Sequence, residues 1–245
     1  MISKAIRLSD RQPIESDPGM TDAATTERPT VTVDVVSDVC CPWCYLGKRR
    51  LDRAIEQMPD VDVVVSWRPY QLDPTIPPEG VDRTAYMKAK FGDMARVDEI
   101  HGRLSSLGAA EGIDYDFDAI KVSSNSLDAH RLIRWAAEEG LQNEMKERLL
   151  AAFWTEGENI GDTDVLVEAA TAVGLDGAKV RARLATDEDR EAVTAEIAHY
   201  QRMGVRGVPT FILERKYAIS GAQEVETLVE ALRDVAEEKA FGEKM

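Results

Sequence analysis

The chain has 245 residues, 44% of them hydrophobic and 31% charged, the profile of a globular protein long enough to bury a sizeable core. Its formal net charge of -15 argues against electrostatic binding to nucleic acid or to an anionic membrane surface, and no apolar run is long enough to cross a bilayer. Three clustered cysteines and the lack of a signal-peptide apolar core near the N-terminus argue against a secreted disulfide scaffold and point to the cytoplasm.

Residues 1–29 are polar and rich in Pro and charge, which predicts a disordered extension, with Met20 as a second candidate start. Val31–Val36 is a β-branched run of strand length. It is followed by Cys41-Pro42-Trp43-Cys44, and then by Leu46, Leu51, Ala54, Ile55 and Met58 at helical spacing up to Pro59. Val61–Trp67 reads as a second strand, completing a βαβ unit that leaves through the Pro-rich segment 73–80. From about Thr84 to Met203 the pattern is almost wholly helical. Ser126 or Asp128 suits the start of a helix that continues through Met145, Leu149 and Phe153 to Gly157, and Asp162, Asp176 and Asp187 suit three later starts. Pro209–Leu213 and Tyr217–Ile219 then read as a hairpin, and Val225, Leu228, Val229, Leu232 and Val235 form one face of a closing helix. The expected fold is therefore α/β, with a sheet built from residues 30–75 and 204–245 and a helical insertion lobe over 76–203.

The strand–loop–helix order places Cys41 at a helix start, where unpaired backbone N–H groups and the positive end of the dipole favour a reactive thiol. Cys44 is three residues on, on the same face, and within reach of it. A CxxC is shared by redox and metal sites. Zinc needs four ligands, or three and water, but there is no second CxxC and His101, His130 and His199 are far apart. Three cysteines are also too few for a four-thiolate cluster. Redox chemistry is thus favoured over a metal site or inert thiols, with Cys41 as the accessible nucleophile and Cys44 as the resolving thiol. Cys40 reads as a small buried residue, since a bond between adjacent cysteines is strained.

A second signal is Gly204-Val205-Arg206-Gly207-Val208-Pro209-Thr210, a proline opening a strand. With the CxxC and the βαβ…ββα order, the chain resembles the thioredoxin superfamily, in which such a loop carries a cis-proline facing the active-site disulfide. With the helical insertion it resembles the DsbA-like subgroup, and more closely the FrnE-like oxidoreductases. These are related to 2-hydroxychromene-2-carboxylate isomerases and kappa-class glutathione transferases. The strings that carry the closer resemblance are residues 37–47 (SDVCCPWCYLG), 67–72 (WRPYQL), 125–131 (NSLDAHR) and 219–223 (ISGAQ).

The resemblance implies redox roles for Cys41, Cys44 and Pro209, with the Val208–Pro209 bond cis and the Val208 backbone offered to an extended substrate. His130, within the 125–131 string, is a candidate substrate contact lining the cleft beneath the CxxC, and the residues themselves offer Trp43 as a substrate contact through packing and shape and Asp38 as a cap or a proton-moving group at Cys44. The function expected is reduction or isomerisation of disulfides in a cysteine-containing protein or peptide, with no tightly bound cofactor and with glutathione or another cellular reductant as redox partner. Two alternatives compete. One is a glutathione-dependent isomerase or transferase of a small aromatic compound, a branch in which serine commonly stands where Cys41 is. The other is a non-enzymatic, redox-sensing binding protein.

Overall fold

In the computed structural model, which describes residues 28–242, the β-branched run after Pro29 forms β1 (Thr30–Ser37). Branching at Cβ crowds a helix but fits a pleated strand, and Val31, Val33 and Val35 alternate into the core. The helix α1 (Pro42–Glu56) follows, burying Leu46, Leu51 and Ala54, and β2 (Asp62–Pro69) returns parallel to β1, in register from Thr30–Asp62 to Ser37–Pro69. Residues 1–27 of the expected extension lie outside the described residues. Arg28 and Pro29, assigned to it from the sequence, are in fact pinned. Arg28 pairs with Asp62 at 2.9 Å, and the Pro29 carbonyl accepts from the Asp62 N–H at 2.9 Å.

The middle of the chain holds β3 (Val81–Asp82), α2 (Arg83–Phe91), α3 (Met94–Ala110) and β4 (Val122–Ser123). It continues with α4 (Leu127–Glu138), α5 (Gln142–Trp154), α6 (Thr163–Ala172), α7 (Gly177–Leu184) and α8 (Arg190–Arg202). Asp82, Asp93, Asp162 and Asp176 each accept a backbone N–H of the helix that follows, satisfying donors the helix itself leaves open. Three expectations are corrected. The block is not all helical, because β3 and β4 form a short antiparallel ladder. The helix expected to run through to Gly157 is broken, since Gly140 (φ 72°) turns the chain between α4 and α5. The last helix of the block starts after Asp189 (φ 59°), not at Asp187.

The chain closes with β5 (Thr210–Leu213), β6 (Tyr217–Ser220) and α9 (Val225–Gly242). The sheet order is β2-β1-β5-β6, with β5 antiparallel to β1 and β6 antiparallel to β5. One buried apolar cluster joins sheet residues such as Val33 and Phe211 to Leu132, Trp135, Leu149 and Phe153 of the helical block and to Leu228 and Leu232 of α9. At the outer edge of β2, Gln142 stands in for a further strand: its Oε1 accepts from the Trp67 N–H at 3.0 Å and its Nε2 donates to the Trp67 carbonyl at 3.2 Å.

Candidate active site

The end of β1 delivers Cys41 to the N-cap of α1, with extended backbone (φ -103°, ψ 116°) and Pro42 following as the first helical residue. Proline suits that place because its missing N–H would have had no intrahelical partner. The Tyr115 hydroxyl donates to the Pro42 carbonyl at 2.6 Å and fixes this first turn. The Cys41 thiol donates to the carbonyl of Val208 at 3.5 Å. The Val208–Pro209 peptide is cis, and the loop is held by the Thr210 hydroxyl on the Gly207 carbonyl (2.8 Å) and by the Gly221 N–H on the Pro209 carbonyl (2.8 Å). Gly47 lets α1 approach this loop: a Cβ there would stand 2.9 Å from Pro209 Cγ and 3.3 Å from Phe211 Cζ.

All three cysteines are free thiols. Cys44 is fully buried behind Cys41, and burial, helped by the contact with Cys41, pushes its thiol well above the usual cysteine range. Cys41 itself is 4% exposed, so it is reached through the cavity beside it rather than from open surface. Cys40 is half-buried and lines that cavity too, which corrects its reading as a buried residue. Burial, and after it the Asp38 charge, pushes the Cys40 thiol up as well.

Beneath the thiols lies a buried polar group. Asp38 accepts from the Leu72 N–H (2.8 Å) and the Cys40 N–H (3.2 Å), and His130 Nε2 stands 3.5 Å from it while donating to the Tyr70 carbonyl at 2.9 Å. Burial alone would raise the Asp38 pKa. His130, by hydrogen bond and by charge, together with the Leu72 N–H and Ser126, outweighs burial and holds it below the usual value. Lys146 is 1% exposed, with its ammonium 5.5 Å from the centre of the Trp67 ring. Burial lowers its pKa against the pull of Cys44 and Asp38.

The cavity beside Cys41 has a volume of about 390 Å³ and is walled largely by apolar side chains of α2 and α3, among them Met87, Phe91 and Leu104. Among the described residues no three His, Cys, Asp or Glu side chains converge as a metal site, and no helix is long and apolar enough to cross a membrane.

A family model described as a DSBA-like thioredoxin domain matches residues 32–233. The chain belongs to that family. Among solved structures it is similar to a probable DsbA oxidoreductase, SCO1869, of Streptomyces coelicolor. The two are 32% identical, with 84% of this chain and 89% of that one covered and a TM-score of 0.77. It is also similar to the uncharacterized protein YwbO of Bacillus subtilis, 28% identical over 211 residues that span 86% of this chain and 100% of YwbO. The cytosolic disulfide reductase DsbM of Pseudomonas aeruginosa, solved with GSH, shares the fold at 21% identity and a TM-score of 0.57, with 87% of this chain and 100% of that one covered.

In this DSBA-like chain, Cys41, Trp43 and Val208 line one cavity, and Trp43 carries the Arg103 guanidinium 5.8 Å from its ring centre. Cys44 lies behind them, and Pro209 packs on the Gly47 side of the loop. His130 is not brought into the cavity. It is 4% exposed, its Nε2 is taken up by the Tyr70 carbonyl and Asp38, and it faces a separate cleft lined also by Lys146. Its assignment as a substrate contact is therefore corrected to support of Asp38. Sequence reasoning missed Arg83, Tyr115 and Lys146. Only Lys146 left a signal, as a charge on the same helical face as Leu149, Leu150 and Phe153.

Proposed function

We propose that the protein is a cytoplasmic, FrnE-like dithiol–disulfide oxidoreductase that reduces or isomerises disulfides in protein or peptide substrates. The observation that carries this reading is Cys41 at the N-cap of α1, against the Val208 carbonyl, with Cys44 fully buried behind it. The Cys41 thiolate bonds to one sulfur of the substrate disulfide, and the other sulfur leaves as a thiolate that takes a proton from solvent. Cys44 then gives up its proton and bonds to Cys41 Sγ, releasing the second substrate thiol and leaving an intramolecular disulfide. Two electrons pass from the protein to the substrate, and glutathione or another cellular thiol returns them. Membership of the DSBA-like family supports the redox class. Further support comes from DsbM, a cytosolic disulfide reductase crystallised with GSH. The thiol of Cys41 speaks against the isomerase and transferase branch, in which serine commonly holds that place.

The test is reduction of insulin disulfides under glutathione turnover. Wild-type protein accelerates it, Cys41→Ser abolishes the acceleration, and Cys44→Ser accumulates a mixed disulfide with substrate that mass spectrometry detects. Full activity in Cys41→Ser would sink the proposal.

A further inference from the structure

The cavity beside Cys41 is lined by a half-buried cation that the redox steps do not use. Arg83 opens α2 with its Nη1 3.5 Å from Ser123 Oγ and its guanidinium 5.9 Å from the centre of the Trp154 ring. Among the described residues no carboxylate pairs with it, and burial draws its pKa down. Among the other charged groups on the walls, Lys90 is exposed and is linked to Asp73 only through the Tyr86 hydroxyl. Lys90 donates to the Tyr86 hydroxyl at 2.8 Å, and that hydroxyl donates to Asp73 at 3.0 Å. Asp38 is taken up by backbone N–H groups and His130. His101 is held below its usual pKa by burial and then by the Arg83 charge, which leaves it neutral near pH 7. Arg83 is thus a half-buried guanidinium without a carboxylate in a largely apolar recess beside the nucleophile, in a chain of formal charge -15. Keeping it half-desolvated is costly, and a guanidinium is shaped to receive a carboxylate through two parallel N–H···O bonds.

We propose that this cavity is a substrate subsite for a disulfide carrying a small aromatic or apolar acid. The carboxylate is received by Arg83, the ring or chain lies among Met87, Phe91, Leu104 and Phe117, and the sulfur is presented to Cys41. The inference rests on the oxidoreductase reading and adds a substrate class to it. A volume of about 390 Å³ is at the small end of ligand pockets, so the cavity takes one arm of a disulfide and not a folded loop. The Cys41 thiolate bonds to the sulfur bearing that arm while the other half leaves as a thiolate. Cys44 loses its proton to solvent and bonds to Cys41 Sγ, and the acid leaves as its own thiolate. The dithiol is oxidised by two electrons and the substrate is reduced to two thiols.

The test compares two aromatic disulfides on the reduced full-length chain: dithiobis(nitrobenzoate), with a carboxylate on each ring, and dithiodipyridine, with none. The reading is the ratio of their second-order rate constants within one protein, so a loss of folded material or a general change in thiolate reactivity cancels. Arg83→Gln is expected to lower the nitrobenzoate-to-pyridine ratio about tenfold or more, and Arg83→Lys, which keeps the charge but not the fork, to fall between. An unchanged ratio in Arg83→Gln, whether both rates fall together or neither falls, overturns the subsite and leaves the oxidoreductase reading standing. A wild-type protein that reduces dithiodipyridine but not dithiobis(nitrobenzoate) overturns the subsite in the same way. A wild-type protein that reduces neither brings down the oxidoreductase reading, and the subsite with it.

Discussion

Asp38 is the residue on which the loop before the thiols hangs, since one carboxylate satisfies the N–H of Leu72 and of Cys40 while facing His130. Replacing it by Ala orphans these buried donors and is expected to cost about 3 kcal/mol in urea unfolding near neutral pH. Asp38→Asn keeps the shape and removes the charge, so it isolates the pH-dependent part. Because the folded pKa is below the ordinary 3.8, the ionised carboxylate contributes stability that is fully present above that value. It is lost as pH falls through the lower, folded value. The stability gap between wild type and Asp38→Asn should therefore be widest near pH 7 and close on acidification below about pH 4, which urea titrations along a pH series read directly. At this scale Cys41 and Cys44 were legible because their spacing is itself the chemical signal. Arg83 was not, since its meaning comes from the carboxylates that are missing around it. Nor was the placement of His130, whose imidazole is claimed by the Tyr70 carbonyl across 60 residues of chain.

At the level of elements, the strands and the first helix could be read because β-branched runs and helical spacing are periodic signals, and α1 stops close to where Pro59 predicts. The ladder of β3 and β4 could not, since two residues a side carry no period and the pairing joins Val81 to Ser123. The division between α4 and α5 was hidden because each helix turns an apolar face to the core on its own side of Gly140, and the positive φ of Gly140 reveals the turn. The approach of α1 to the Pro209 loop depends on Gly47, whose missing side chain leaves room for Pro209 Cγ and Phe211 Cζ. Gly47→Ala forces helix and loop apart by some tenths of an ångström. It should destabilise the protein by about 1–3 kcal/mol and slow disulfide reduction while leaving Cys41 present. Chemical unfolding and the insulin assay on the same preparation separate the two effects, and an unchanged rate would show that the loop position is set elsewhere.

For the molecule as a whole, the division into a sheet portion and a helical lobe is a property of chain order more than of packing. The buried cluster runs from Val33 and Phe211 through Leu132, Trp135 and Leu149, so the two portions share one apolar interior. We expect far-UV circular dichroism and tryptophan fluorescence to report one coincident unfolding transition, and the segment 76–203 expressed alone to lack a cooperative melt. Two separated transitions would show that the lobe is an independent unit. The contact between Cys41 and Val208 also fixes an order of events during synthesis. Cys41, with Cys40 and Cys44 beside it, leaves the ribosome 167 residues before the Val208 carbonyl that accepts its hydrogen bond, and β1 waits about as long for β5, its second neighbour. At ordinary elongation rates this interval is roughly 10–30 s. Throughout it, a nascent chain exposes an unpaired strand edge and three uncovered cysteines to every oxidant and stray thiol in its surroundings.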